Sequence, residues 1–191
     1  CAFPIRQFAL NFLLTIDMTL HISINSSHVN ESNAAFKTET PMHLLAEKSV
    51  HILRSKLDVF AYLSNLENFG QWFPGVISIK SANALEHGHI GKQYRETVLI
   101  PLRGARQITL EVREVREGLF LATESRFPPL MPRMEMELRE TGEGSCELTW
   151  RMFSRTNSAI LKYTLIPLAR RIVGRRAVLG VAALKARMEI R

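Results

Sequence analysis

Cysteine is almost missing from this chain: among 191 residues only Cys1 and Cys146 carry a thiol, so no disulfide framework can hold the fold. Cys146 stands in a strand-like pattern, where a reduced and buried thiol is expected, and a cytoplasmic setting follows from that reading. Aspartate is as scarce, with only Asp17 and Asp58, and Asp58 sits where a helix start would use it. No apolar run approaches the roughly eighteen residues that a membrane-crossing helix needs, so none is predicted. A glycine-rich phosphate loop and a nucleophile elbow are both lacking. His87 and His89 have a spacing that a metal accepts, but they lie in a turn with no third ligand in view. No metal, no other cofactor and no catalytic residue is assigned from the sequence.

What is present reads as one domain with an extension in front of it. A hydrophobic content of 46% is ordinary for a globule with a substantial core. The chain opens on Cys1, and Phe8 to Ile16 is a short apolar run preceded only by Arg6 and followed by no small-x-small cleavage pattern. A secretory signal and a lipid-anchored Cys1 both fit this pattern poorly. From His21 to Thr40 the composition turns to Ser, Asn, His and Thr. Residues 1–42 are therefore predicted to be a poorly ordered extension, with Met18 or Met42 as alternative starts, and residues 43–191 to be the folded domain.

Within that domain the first pattern is a strand, His43 to Leu53. Ser55 to Asp58 then resembles a capping box, and Val59, Phe60, Leu63 and Leu66 follow at helical spacing, which predicts a helix from Lys56 to Leu66. Gly70, Pro74 and Gly75 forbid a long helix in the next segment, which holds Phe69, Trp72 and Phe73 close together. Short strands follow over Val76–Ala82, Lys92–Leu102, Gln107–Val115 and Leu119–Phe127. The clearest two come last: Met134, Met136 and Leu138 alternate with Glu135, Glu137 and Arg139, and Cys146, Leu148, Trp150 and Met152 alternate with Glu147, Thr149 and Arg151. Short connections between them favour antiparallel pairing throughout.

The last stretch, Asn157 to Arg191, is the element that the rest must cover. Leu161, Leu165, Leu168, Ile172, Leu179, Ala183, Ala186 and Ile190 recur at helical spacing and predict one buried stripe. Pro167 cannot donate to the carbonyl of Tyr163, so the helix either starts near it or bends there. Lys162, Arg170, Arg171, Arg175, Arg176, Lys185, Arg187 and Arg191, against Glu189 alone, account for the whole net charge of +7. A solvated face explains this, as does contact with an anionic membrane or a ribosome through Arg170, Arg171, Arg175 and Arg176. No specific nucleic-acid partner is expected.

Several strings in this order resemble the SRPBCC superfamily, the helix-grip group that includes START domains and the polyketide cyclase/dehydrase and lipid transport proteins. They are Val50–Ser55, Asp58–Leu63, Asn68–Val76, Gly91 at the head of a strand, Glu147–Trp150 and Leu184–Glu189. The resemblance implies an α+β fold: a curved seven-stranded antiparallel sheet wrapped around a long C-terminal helix, with short helices after the first strand. It also implies a cavity between sheet and helix for a lipid, polyketide or isoprenoid. An apolar guest losing about 200 Å² of exposed surface would gain roughly 5 kcal/mol before entropy costs.

Candidate ligand contacts are Trp72, Phe73, Tyr94, Glu96, Val98, Met134, Met136, Trp150, Leu165, Leu168, Ile172 and Leu179, each of which also makes sense as core alone. Tyr94, Glu96, Val98 and Ile100 share one strand face. If that face turns inward, Glu96 is a polar anchor or proton-transfer group; in the other register Arg95 and Thr97 point in. Glu124 and Arg126 would then either meet Glu96 or pair on the outer face. The expected function is binding of a small hydrophobic molecule, as carrier or sensor. An enzyme similar to polyketide cyclases or dehydrases is the alternative, and a module docking through its basic helix is the third.

Overall fold

The computed structural model describes residues 42–190, position 102 excepted. The extension expected over 1–42 lies outside the described residues but for Met42. Among the described residues are seven strands: β1 (His43–Ile52), β2 (Val76–Ser81), β3 (Gln93–Ile100), β4 (Gly104–Arg116), β5 (Phe120–Ser125), β6 (Pro132–Gly142) and β7 (Ser145–Ser154). Helix α1 (Lys56–Ser64) and a 3₁₀ segment (Leu66–Gln71) separate β1 from β2, and helix α2 (Ala159–Glu189) closes the chain.

The strands make one antiparallel sheet in the order β1-β7-β6-β5-β4-β3-β2. Strands β2 to β7 follow one another across it because their connections are short. β1, followed by α1 and the 3₁₀ segment, is free to reach the far edge beside β7. Irregularities between Leu44 and Ala46, Val112 and Glu114, and Glu140 and Gly142 insert residues that bend their strands. This is the helix-grip architecture expected from the sequence.

Local chemistry sets several boundaries. Ser55 Oγ accepts from the Asp58 amide at 3.2 Å and donates to Asp58 Oδ2 at 2.7 Å, so Ser55 caps α1 as expected, although the Asp58 carboxylate takes the Ser55 hydroxyl and not the Ser55 amide that a full capping box would use. Asn65 ends α1 and caps the next segment, its side chain accepting from the Glu67 amide at 3.0 Å. Ser158 caps α2, which runs through Pro167 without a break in its assignment, so it does not begin there.

Period two separates the faces of the sheet. On one face Arg133 meets Glu135 at 2.7 Å, Glu124 at 3.2 Å and Glu114 at 3.1 Å, and Arg151 meets Glu47 at 2.6 Å and Glu137 at 2.7 Å. All but Arg133–Glu135, which lies within β6, are ion pairs between strands on the outer side. Glu124 also meets Arg155 at 2.8 Å and Arg113 at 3.4 Å, and Arg126 is exposed, so Glu124 is an outer-face group as expected, but its partners are arginines other than Arg126. The opposite face is apolar and carries the core.

The packed face of α2 differs from the stripe read in the sequence. Ile166, Ala169, Ala177, Gly180, Val181 and Leu184 are buried, with Val173 and Met188 partly so. Leu168 and Leu179, expected inside, are 53% and 61% exposed, while Leu165 and Ile172 are half-buried at the margin. Each residue advances the helix by about 100°, so a stripe displaced by one or two positions faces elsewhere. Aliphatic residues surround nearly the whole of α2, and close approach to its neighbours selects the face with the small Ala169, Ala177 and Gly180. The helix runs closest to β1.

Candidate functional site

The segment after α1 is short because Gly70, Pro74 and Gly75 end it, and its rings turn into the core. Phe69 stacks on Phe73 at 4.8 Å between centroids and meets Trp72 edge-on at 4.9 Å. Phe73 continues to Trp150 of β7 at 5.0 Å. On its other side lies α2, where a Cβ on Gly180 would stand 2.9 Å from the Phe73 ring. The ring is thus held between a helix glycine and a buried indole.

Register puts the remaining candidates on the same inner face. Tyr94 pairs with Leu110, which pairs with Ser125; Glu96 pairs with Ile108; Thr123 lies between Val112 and Met134; Met136 pairs with Trp150. The open question about β3 therefore resolves: Tyr94 and Glu96 are buried and Arg95 is exposed. Tyr94 is fully buried, its hydroxyl 2.7 Å from His87 Nδ1, with the two rings stacked 5.8 Å apart. Burial pushes that hydroxyl up to about 12, which suits it to donate a hydrogen bond rather than to ionise.

Glu96 is 5% exposed, and burial raises its carboxyl to about 7 against the opposing pull of Arg176. Arg176 reaches in from α2 and donates from Nη2 to the Leu99 carbonyl at 2.7 Å. Its guanidinium carbon lies 2.6 Å from where a Cβ of Gly75 would stand, and Gly75 has φ +92°, so only glycine suits that position. Arg176 is therefore not one of the outward cations expected of the basic helix. Desolvation lowers its own proton affinity, and Glu96 partly restores it. Arg176 is half-buried and makes no direct ion pair of 4 Å or less with Glu96, and at about 7 the carboxyl divides between its protonated and ionised forms near neutral pH.

Three polar atoms on this face or its edge are buried without a hydrogen-bond partner: Thr123 Oγ1, Ser125 Oγ and Trp150 Nε1. Buried polar atoms normally find a partner, and leaving one unpaired costs about 1–3 kcal/mol. Met134 and Met136 are buried beside them, and Val98 is half-buried. The structure thus brings Tyr94, Glu96, Met134, Met136 and Trp150 onto one surface, adds Phe73 as a neighbour, and leaves Leu168 and Leu179 outside. Thr123 and Ser125 went unnoticed in the sequence, and Arg176 was read only as a cation of the basic helix. The first two had a signal, since Leu121, Thr123 and Ser125 alternate on one strand face with small polar residues where aliphatics are usual. Arg176 had none.

A separate open cleft of about 540 Å³ is lined by Arg54, Asp58, Tyr62, Arg187, Met188 and Ile190, at the end of α2 and away from this face. Arg54 there donates to the Met188 carbonyl at 2.8 Å and the Ile190 carbonyl at 3.2 Å, closing the helix end.

Solved structures share the architecture. A START superfamily protein from Mycobacterium smegmatis aligns with a TM-score of 0.61 at 17% identity, over 78% of this chain and 97% of its own. The Zhui aromatase/cyclase from Streptomyces sp. R1128 aligns at 0.61 and 16% identity, over 78% and 94%. A protein from Thermus thermophilus does so at 0.61 and 14%, over 78% and 97%. At such identities these likenesses concern the fold. No curated protein sequence matches. The family model for polyketide cyclase / dehydrase and lipid transport matches residues 43–189, the folded domain almost end to end, and the chain belongs to that family.

Proposed function

We propose that the domain binds a small, largely hydrophobic molecule, as a carrier or sensor, against the sheet face of Tyr94, Glu96, Met134, Met136 and Trp150. The observation that carries this reading is the set of unpartnered buried atoms, Thr123 Oγ1, Ser125 Oγ and Trp150 Nε1, among apolar neighbours. A guest with a mainly apolar body and a few oxygen atoms would satisfy them while burying its surface. Native mass spectrometry of the purified chain, followed by solvent extraction, tests it. A recurring mass increment is expected, and it should diminish when Thr123→Val and Ser125→Ala are combined. Apo protein from several expression hosts would overturn the reading.

A second reading, catalysis similar to that of an aromatase/cyclase, is favoured by Glu96, a buried carboxyl at about 7 that can both give and take a proton near neutrality. Glu96→Gln separates the two: an enzyme loses turnover and keeps its bound guest, whereas a carrier changes in retention alone. Docking through the basic helix is the third reading, favoured by the exposed cations of α2.

A further inference from the structure

The outer face of α2 is a surface in its own right, independent of any guest on the sheet. The helix is 31 residues long, about 46 Å at 1.5 Å per residue. Opposite its packed face lie Ile160, Leu168, Val178 and Leu179, exposed by 74%, 53%, 49% and 61%, with Tyr163 exposed by 77% on the flank. Pro167, Ala182 and Ala186 are exposed between them. These large aliphatic side chains stand along one side of the helix, where a flat surface laid against it would meet them together.

Cations interrupt this line. Arg171 and Arg175 are exposed and make no hydrogen bond or ion pair with any described residue. Lys162 is not part of this line: it stands on the side of the packed face, four residues before Ile166 and seven before Ala169, with its Nζ 5.9 Å from the Tyr163 ring centroid. Arg170 is held by the Leu44 carbonyl at 2.9 Å, and Arg176 is turned inward. No acidic residue occurs in α2 before Glu189, which is itself bonded to Lys185 at 2.6 Å and to the Leu53 amide at 2.8 Å. The free guanidiniums thus meet no counter-charge on their own element.

We infer that the outer face of α2 docks on an anionic lipid bilayer, with Ile160, Leu168, Val178 and Leu179 entering the headgroup region and Arg171 and Arg175 pairing with lipid phosphates. Charge complementarity selects an anionic partner, because these cations lie in the segment 157–191 that holds the whole net charge of +7. The interleaved aliphatics select lipid over nucleic acid, since phosphates alone would reward the guanidiniums and leave the aliphatics in water. The helix then lies in the plane of the interface, with its packed face still held by the sheet.

Flotation of the full chain with vesicles of phosphatidylcholine containing about 30% phosphatidylglycerol, against pure phosphatidylcholine, tests the inference. Binding to the anionic vesicles alone is expected, weakening as salt rises from about 0.1 to about 0.5 M. Each cation at such a surface multiplies affinity about five-fold, so R171E with R175E should lower it by about thirty-fold or more. Leu168→Ser with Leu179→Ser should also lower it several-fold, and circular dichroism should report an unchanged fold for both pairs. The inference is overturned by failure to float, by binding that neither pair alters, which would assign it to residues 1–41, or by binding that responds to the charge pair alone. Native mass spectrometry of the same variants reports guest retention separately.

Discussion

Replacement of Glu96 by Gln removes a charge that the interior tolerates poorly, and the effect on stability has a definite sign. In the unfolded chain the carboxyl titrates at its ordinary value of 4.5, and in the folded chain burial raises it to about 7. Between those values the folded state binds more protons than the unfolded state, so stability falls as pH rises through the interval. The contribution is fully present below about 4.5 and lost above about 7. Each ten-fold change in proton affinity is worth about 1.4 kcal/mol, which makes the whole loss about 3 kcal/mol. Gln has nothing to ionise, so Glu96→Gln should lack this decline. Urea unfolding of both proteins at several pH values between 4 and 8.5 measures it, and the difference between them cancels every other titrating group. The variant should gain about 3 kcal/mol relative to the wild type between the acid and alkaline ends. A difference that does not change with pH would refute the reasoning. A difference of opposite sign would mean that Arg176 keeps the carboxylate ionised.

Three further outcomes follow from packing and capping. Gly180→Ala improves helix propensity by about 1 kcal/mol, but its Cβ would stand 2.9 Å from a Phe73 ring already held by Trp150, so a net loss of about 1–2 kcal/mol is expected in thermal unfolding; a gain would show that the ring moves freely. Ser55→Ala removes the oxygen that accepts from the Asp58 amide and should cost about 1 kcal/mol, readable as a lower urea midpoint with an unchanged slope. Arg133→Met leaves Glu114, Glu124 and Glu135 without their shared guanidinium and should cost about 2 kcal/mol in urea unfolding, less when Glu135→Gln is already in place; an equal loss in both backgrounds would assign the effect to packing.

Signals carried by neighbouring residues were legible in the chain. The alternation of Met134 to Leu138 and of Cys146 to Met152 marked β6 and β7, and Ser55 with Asp58 marked the start of α1. Such signals depend on period two and on a side chain reaching an amide three residues away, and both act whatever the rest of the chain does. Glu96 as a candidate was legible too, but its direction was not, because both faces of Gln93–Ile100 mix polar and apolar residues.

By itself the sequence determined the element types, their order, the antiparallel meander and the concentration of positive charge in the last helix. Only the tertiary structure decided which way α2 is rotated, that Arg176 turns inward while Arg171 and Arg175 stay out, and that Thr123 and Ser125 are buried without partners. The physical reason is that aliphatic residues lie on nearly every side of α2, so its own pattern prefers no single face strongly. Close packing chose one, by bringing the Phe73 ring against Gly180, where no larger residue leaves room.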